Sequence, residues 1–315
     1  MNKIARVGQM IASNVITSVA QLERLDVANL PLRTRHTGFV MCGPTHYRVD
    51  YDINPYMTGN IGHVNRGRAI LQWMRLRHVL REEWRCPVHE MRADKRYPDM
   101  VFAANGALTY VRNGKKRALT VRMRNKEREG EWRLFATYLS RVGYDIEIEY
   151  LPEGVYFEGE GDARLDSERE LLWGGHGIRS SLESSPYVSE RIGMPVIALR
   201  LADQRFYHLD TCFLPFKDKD RRCVMFYPEA FDLHSREIIR HAFPDPYDRI
   251  ELSEEEASDF PCNTPILGNN MVMPEGAPRI FGIFKERGFN VVQTPMSEFK
   301  KGGGAAKCLV LEDYE

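Results

Sequence analysis

Short apolar runs alternate with amphipathic stretches along most of the chain, and this alternation constrains the fold more than any other feature. The runs are rich in Val, Ile, Leu, Phe and Tyr and bounded by Gly, Pro, Asn or Asp, which is typical of β-strands. The predicted strands are Gly38–Cys42, Met100–Tyr110, Arg117–Met123, Ile146–Leu151, Pro195–Leu201, Arg205–Pro215, Cys223–Tyr227, Asn270–Met273, Asn290–Thr294 and Lys307–Leu311. Helical spacing of apolar residues predicts helices over Asn65–Trp84, Lys126–Val142, Ser185–Ile192, Asp232–His241 and Pro278–Arg287. Interleaved helices and strands predict an α/β fold.

No low-complexity linker divides the chain, so we expect a single domain over residues 36–315, preceded by an N-terminal extension over residues 1–35. The domain would hold roughly five helix-and-strand units of about 50 to 60 residues, which is compatible with a closed radial fold. Met1–Leu22 contains Lys3 and Arg6 but no acid, which is compatible with a weak presequence, although an ordinary amphipathic segment explains it better. We therefore expect a cytoplasmic protein, with a mitochondrial location as the alternative.

Charge and cysteine usage exclude several classes of function. Lys and Arg total 44 and Asp and Glu total 44, so the chain lacks the basic surplus of proteins that grip nucleic acid or anionic membranes. No stretch of 18 or more residues is continuously apolar, so no membrane span is expected. The six cysteines form no CxxC pair, which argues against a zinc ribbon or a dithiol motif. We expect no metal, no cofactor and unpaired thiols, while homo-oligomerisation stays open.

The C-terminal run of small residues before Cys308 is the sharpest sign of chemistry. Gly302–Ala306 permits close approach of backbone to a ligand, and the cysteine follows just before an apolar strand. A thiolate is a strong nucleophile when backbone amides and positive charge favour it. The alternative is a buried structural cysteine at the start of a strand.

His208 and Asp210 form a second candidate pair. Alternation with apolar neighbours predicts that both lie on one face of a strand. Histidine suits proton transfer near neutral pH, and an aspartate two residues on could hold a cationic substrate or orient the ring. A core histidine beside an aspartate at the end of a strand is the alternative.

An acidic segment and an Asn-Gly pair provide further candidates. Glu158, Glu160 and Asp162 crowd three carboxylates among two glycines, and a guanidinium cation would relieve their repulsion. An acidic hairpin turn is the alternative. Asn105 either belongs to a turn or offers its amide to a ligand.

Basic residues cluster between Arg112 and Arg128, with eight cations and one acid, Glu127. A solvated hairpin or a nucleic-acid patch would explain the cluster. An arginine fork could instead clamp a substrate carboxylate, and Arg122 and Arg179 are the candidates for this role.

Together these motifs resemble the guanidine-modifying pentein superfamily, and most closely the arginine dihydrolase domain of cyanobacterial arginine dihydrolase/ornithine cyclodeaminase proteins. The resemblance covers residues 36–315. It is carried by MCGPTHYRVDYDINPYM (41–57), PDMVFAANGAL (98–108), FEGEGDA (157–163), RFYHLDTCF (205–213), PCN (261–263) and SEFKKGGGAAKCLVL (297–311).

The resemblance implies a five-bladed pseudo-symmetric α/β propeller with the site in its central channel. It implies Cys308 as nucleophile, His208 as general acid and base, Glu158 as the carboxylate partner of both imidazole and guanidinium, and Asn105 as a further catalytic residue. For substrate binding it implies Asp210, Asn54, Arg122, Arg179, Asp162 and Ala305.

The implied activity is hydrolysis of the L-arginine guanidino group through a covalent thiouronium, as in an arginine dihydrolase that yields ornithine, ammonia and carbon dioxide. A dimethylarginine dimethylaminohydrolase and an arginine amidinotransferase are the alternatives, and a catalytically silent binding protein of the same fold is the alternative from another class. The chain departs from the dihydrolase pattern at Glu160 and His176, and the resemblance covers only the dihydrolase domain of those bifunctional proteins, so we expect no cyclodeaminase activity from residues 36–315.

Overall fold

The computed structural model describes residues 14–148 and 151–315, and sheets and helices alternate through them, which confirms the α/β prediction. The strands of this part of the chain form five sheets. Sheet by sheet they are Val15–Ile16, Val196–Arg200, Leu172–His176 and Ala163–Leu165; Phe213–Asp218, Arg221–Phe226 and Arg249–Glu251; Ile266–Leu267, Asn270–Pro274 and Asn290–Thr294; Val310–Asp313, Gly38–Cys42 and Val88–Met91; and Ala107–Arg112, Lys115–Thr120 and Asp145–Glu147.

All five sheets share one topology. An antiparallel pair is followed by a helix, and the next strand returns parallel to its predecessor, because parallel neighbours need a crossover connection. The C-terminal strand Val310–Asp313 pairs with Gly38–Cys42, so the last strand completes the first sheet. The α-helices are Val19–Leu22, Arg66–His78, Glu131–Arg141, Ser185–Ile192, Leu233–Ala242, Glu254–Ala257, Pro278–Glu286 and Ser297–Lys300.

Most predicted elements are found within a few residues of their predicted bounds. Gly38–Cys42, Ser185–Ile192 and Asn290–Thr294 have the predicted limits. Asn65 caps Arg66–His78, since its side chain accepts from the Arg68 amide. The predicted strand Ile146–Leu151 is observed as Asp145–Glu147, and residues 149–150 lie outside the described part of the chain.

Three predicted strands are wrong at their N-terminal ends. Met100–Tyr110 begins with 3-10 turns and becomes a strand only at Ala107. Arg205–Pro215 likewise becomes a strand at Phe213, and Lys307–Leu311 at Val310. The apolar residues that suggested strands are buried in these turns instead, because side chains such as Thr211, which donates to the His208 carbonyl, satisfy backbone groups locally.

The corrected segments show how the fold assembles its chemistry. In each of the five sheets, a short turn precedes one strand of the antiparallel pair; these strands begin at Ala107, Ala163, Phe213, Ile266 and Val310. In chain order the turns carry Asn105; Glu158 and Asp162; His208 and Asp210; Asn263; and Cys308. Packing the sheets side by side therefore brings together residues that are up to 203 positions apart in sequence, as between Asn105 and Cys308.

Residues 14–35 of the predicted N-terminal extension pack on the domain. Val15–Ile16 adds a parallel strand to Val196–Arg200, and the Arg33 amide donates to the Glu168 carbonyl. Residues 1–13, which carry most of the presequence prediction, lie outside the described residues. Among the helices that are described, none combines the length and apolarity needed to cross a bilayer.

Candidate active site

A cavity of about 260 Å³ lies where the turns meet, and five of the sequence candidates line it: Asn54, Asn105, Arg179, His208 and Cys308. Glu158 and Asp210 do not line the cavity, but they contact His208 and Cys308, respectively. Cys308 and His208 both line it, so the thiol and the imidazole face one shared hollow. Its walls are Ile53, Asn54, Asp99, Phe102, Asn105, Arg128, Arg179, Tyr207, His208, Gly302, Gly304 and Cys308.

The Cys308 sulfur is almost fully buried, and its polar surroundings include the side chains of Asp210 and Asn263 and the backbone amide of Ala305. Its Sγ lies 3.3 Å from Asp210 Oδ2, and Asn263 Nδ2 donates to it at 3.0 Å. The Asn263 Oδ1 accepts from the backbone amides of Cys308 and Ala305, which fixes the cysteine's position. Burial, reinforced by the Asp210 carboxylate, raises the pKa of the Cys308 thiol well above its ordinary value. A cation beside the sulfur would reverse the effect of Asp210 and favour the thiolate.

His208 and Glu158 form a buried pair. His208 Nε2 lies 2.7 Å from Glu158 Oε2, and Arg179 donates to that same oxygen at 3.2 Å. The Arg124 amide donates to the other oxygen. Burial alone would raise the pKa of Glu158, but Arg179 and His208 hold it well below its usual range. Glu158 is therefore an ionised carboxylate that can orient the imidazole and stabilise its protonated form.

Asp162 lies behind the histidine turn and outside the cavity lining. Its carboxylate accepts from the Ser180 hydroxyl at 2.6 Å and from the Leu209 amide at 3.1 Å, so it ties two turns together. Burial raises the pKa of Asp162 to about 6 despite the nearby His208. The geometry gives Asp162 a supporting position, without contact to the cavity.

Asn105 is oriented by a buried ion pair. Arg128 Nη1 donates to Asn105 Oδ1 at 2.9 Å, while Arg128 Nε and Nη2 bind the Glu131 carboxylate. Because the oxygen is occupied by Arg128, the Asn105 amide group turns its Nδ2 donor toward Glu158 and the cavity.

Close backbone approach explains the glycines around Glu160. A Cβ on Gly161 would collide with the Asn105 amide and lie 3.3 Å from His208 Cγ. Gly159 has φ +61° with a carbonyl pressed against it, a conformation that favours glycine. The acidic segment is therefore a tight, buried 3-10 turn rather than an acidic hairpin turn.

The remaining predicted binding residues occupy different surroundings. Asn54 lines the cavity and donates to the Gly302 carbonyl, so it supports the glycine run. Ala305 contributes its backbone amide, which donates to Asn263 Oδ1 and also acts on the Cys308 sulfur, where it favours the thiolate. Arg122 does not line the cavity, since its guanidinium donates to the carbonyls of Leu151 and Pro152. His208 and Asp210 occupy a 3-10 turn, so the prediction that they share one face of a strand is wrong.

Sequence reasoning missed Asn263, Arg128 and Asp99 as site residues. Asn263 belongs to the PCN stretch that matched the family, but nothing in its local pattern indicated contact with a cysteine 45 residues away. Asp99 and Arg128 each sit beside motifs that predict turns. Their place in the site depends on packing between distant segments, which the local spacing of apolar residues does not predict.

Two buried carboxylate oxygens at the site accept no hydrogen bond from the described residues. Asp210 Oδ1 and Asp99 Oδ1 have no hydrogen-bond partner within residues 14–148 and 151–315. Such atoms are costly to bury alone, so they mark places where donors of a ligand belong. The arrangement can therefore bind a cationic group next to a nucleophilic sulfur and move protons through His208. In the described residues, no group of three His, Cys, Asp or Glu side chains is placed to hold a metal ion.

Comparison with known proteins identifies a matching family and several relatives of this chain. Residues 56–314 match the family model described as N,N dimethylarginine dimethylhydrolase, eukaryotic. The bifunctional arginine dihydrolase/ornithine cyclodeaminase AgrE of Nostoc sp. is 41% identical over 282 residues, which is 90% of this chain and 38% of that protein. The chain thus spans less than two fifths of that relative's length.

A further protein and the isolated domain of another match over most of the compared chain. The N(G),N(G)-dimethylarginine dimethylaminohydrolase of Mycobacterium tuberculosis is 33% identical over 281 residues, which cover 89% of this chain and 86% of that one. The crystal structure of the N-terminal domain of the cyanobacterial arginine dihydrolase ArgZ, bound to product, superposes with a TM-score of 0.81. It is 39% identical and covers 88% of this chain and 97% of that chain. The chain therefore belongs to the N,N-dimethylarginine dimethylhydrolase family, within the guanidine-modifying pentein superfamily.

Proposed function

We propose that this protein hydrolyses the guanidino group of L-arginine, as an arginine dihydrolase. The observation that carries the proposal is one cavity lined by Cys308 and His208, with Asp210 3.3 Å from the sulfur and Glu158 2.7 Å from the imidazole. The site thus combines a nucleophile, a proton carrier and two carboxylates suited to a flat cation. The relatives named as arginine dihydrolases, at 41% and 40% identity, support this substrate.

The unused carboxylate oxygens suit a substrate with two cationic ends. Asp210 Oδ1 lies next to the nucleophile and would accept from a guanidinium. Asp99 Oδ1, in the cavity wall, would accept from a second positive group such as an α-ammonium. Arg128, which also lines the cavity, could pair with an α-carboxylate.

Substrate binding would also lower the raised pKa of the Cys308 thiol. In the unliganded site, burial and Asp210 keep Cys308 protonated by raising its pKa. A bound guanidinium next to Asp210 would neutralise that carboxylate and lower the thiol pKa, so the thiolate forms only when substrate is present.

The chemistry follows in two balanced halves. The thiolate attacks the guanidinium carbon, and His208 gives a proton to the leaving nitrogen, which departs as ammonia and leaves a thiouronium on the sulfur. His208 then takes a proton from water, which attacks the same carbon and releases the ureido product and the thiol. A second cycle on the ureido group consumes another water, so arginine and two waters yield ornithine, two ammonia and carbon dioxide.

We also propose that the five sheets are arranged as blades of a propeller around this cavity. The shared strand order and the pairing of the last strand with the first sheet support this arrangement, as does the convergence of the five turns on one site.

Product analysis tests the proposal. Purified protein is incubated with L-arginine, and ammonia and ornithine are counted per arginine consumed. Two ammonia and one ornithine support a dihydrolase, one ammonia with citrulline indicates a deiminase, and no turnover would reject arginine as substrate. Cys308→Ala should abolish turnover, whereas Cys86→Ala, a buried cysteine elsewhere, should retain it.

The second candidate is a dimethylarginine dimethylaminohydrolase. It is favoured by the matched family model and by the Mycobacterium tuberculosis relative, which aligns with 89% of this chain. Release of dimethylamine and citrulline from dimethylarginine, faster than ammonia from arginine, would assign this activity instead.

A further inference from the structure

A second cavity, of about 610 Å³, lies away from the catalytic one and shares no lining residue with it. Basic side chains dominate its walls. They are Arg33, Arg35, His36, Arg164 and Lys217, and Glu312 is the one carboxylate among the residues that line it. Arg33 and Arg35 come from the predicted N-terminal extension, so this segment completes the cavity.

Several donors in this basic cavity lack acceptors. Arg33 Nε and Nη1, Arg164 Nε and Ser167 Oγ make no hydrogen bond within the described residues. The side chains of Arg33 and Arg164 are only 9% and 8% exposed, so water does not readily satisfy these groups. Buried donors that converge on an open space mark a site for an acceptor-rich ligand.

The single carboxylate of Glu312 does not neutralise all the basic side chains of this cavity. Its carboxylate lies 3.6 Å from Arg33, 3.2 Å from His36 and 3.8 Å from Arg164, so three donors share one acceptor group at long range. Lys217 pairs with Glu168, and nearby Asp166 is bound by Arg222. Arg35 has an exposed side chain, and no ion pair or hydrogen bond engages it among the described residues.

We propose that the basic cavity, formed by Arg33, Arg35, His36, Arg164 and Lys217 around Glu312, binds a small multivalent oxyanion, with phosphate as the simplest case. Arginine forks match tetrahedral and carboxylate oxyanions bidentately. Here Arg33 and Arg164 supply two such forks from different elements, with Arg35 free to close over the ligand. Neither the proposed hydrolysis nor its residues require this site.

Calorimetric titration with inorganic phosphate, at fixed ionic strength set with chloride, tests the proposal without any substrate. Wild-type protein should give saturable binding. Arg33→Gln and Arg35→Gln should each weaken it about tenfold through loss of a charge-assisted bond. Arg35 is exposed, so its variant folds even where a buried change does not. Arg133→Gln, with the same charge change on an exposed helix position, should bind phosphate like the wild type.

Glu312→Gln provides the sharpest readout, since a carboxylate that competes with the ligand for Arg33 and Arg164 is removed. Phosphate binding should become about tenfold tighter, an outcome that mere structural damage would not produce. Citrate serves as a second probe, and tighter binding of citrate than of phosphate would identify a polycarboxylate as the preferred oxyanion.

Three results would overturn the proposal. They are the absence of saturable binding of either anion, equal binding by Arg33→Gln and wild type, and loss of binding in Arg179→Gln with retention in Arg33→Gln. The last result would place the anion in the catalytic cavity instead.

Discussion

Asn263→Asp would test how the buried sulfur is made reactive. The change keeps the Oδ1 acceptor that receives the Cys308 and Ala305 amides, so the backbone of the turn should be preserved. It replaces the Nδ2 donor, 3.0 Å from Cys308 Sγ, by a carboxylate oxygen. The perturbation is therefore confined to the electrostatics of the thiolate.

Two contributions set the expected magnitude. Loss of a hydrogen bond to a charged sulfur costs about 1.5–3 kcal/mol, which corresponds to at least about tenfold in kcat. Repulsion between unit charges 3.0 Å apart adds about 5–6 kcal/mol at an effective dielectric constant of about 20. The full repulsion would correspond to about 10⁴-fold in rate. The loss should shrink at low pH, where the new carboxyl group is protonated and donates again.

The assay is kcat for ammonia release from L-arginine across pH, with folding checked by urea unfolding. Asn290→Asp, an exposed position with the same charge change, is the matched control and should leave kcat unchanged. A kcat for Asn263→Asp within about threefold of wild type at alkaline pH would refute the role assigned to Asn263.

Three further outcomes are expected. The pKa of Glu158 is held below its ordinary 4.5 in the folded state, so its ionisation stabilises the protein above that pH, and this stability is lost as the pH falls. Glu158→Gln should therefore flatten the decline of the unfolding free energy below about pH 4.5. A decline as steep as that of the wild type would contradict this. Arg128→Gln leaves Glu131 buried without its partner, so the unfolding free energy measured in urea should fall by about 3–5 kcal/mol. Adding Glu131→Gln should recover much of this loss. No recovery would show that the unpaired charge of Glu131 is not the cause. Asn105→Asp puts a carboxylate where an amide could donate to a ureido oxygen, so ammonia per arginine should fall from two toward one, and an unchanged ratio would remove Asn105 from the second cycle.

The α/β class and most element bounds could be predicted from the sequence because they depend on local periodicity. Ser185–Ile192 buries one face that the spacing of its residues indicates, whereas Gly38–Cys42 is a continuous apolar run that is buried throughout. The predicted strands around His208 and Asn105 were wrong, because the same apolar composition also serves a buried turn whose backbone is satisfied by neighbouring side chains.

The candidate nucleophile and its partners also had a sequence signal. Cys308 followed a glycine run, and Glu158 belonged to a cluster of three carboxylates that suited a guanidinium cation. The order of these motifs along the chain led to the family, and comparison with known proteins confirmed it. Single motifs would have left each residue with an equally good structural explanation.

Residue types and local spacing thus determined by themselves the α/β class, most of the helices and strands, and which side chains have the right chemistry. Only the tertiary structure decided that Asn263 holds Cys308, that Arg128 turns the Asn105 amide, and that Arg122 faces away from the cavity. The reason is physical, since hydrogen bonds and ion pairs act over a few ångströms and depend on how five separate turns pack together. The residue pattern of a single segment therefore cannot predict which side chains from different turns lie within contact distance.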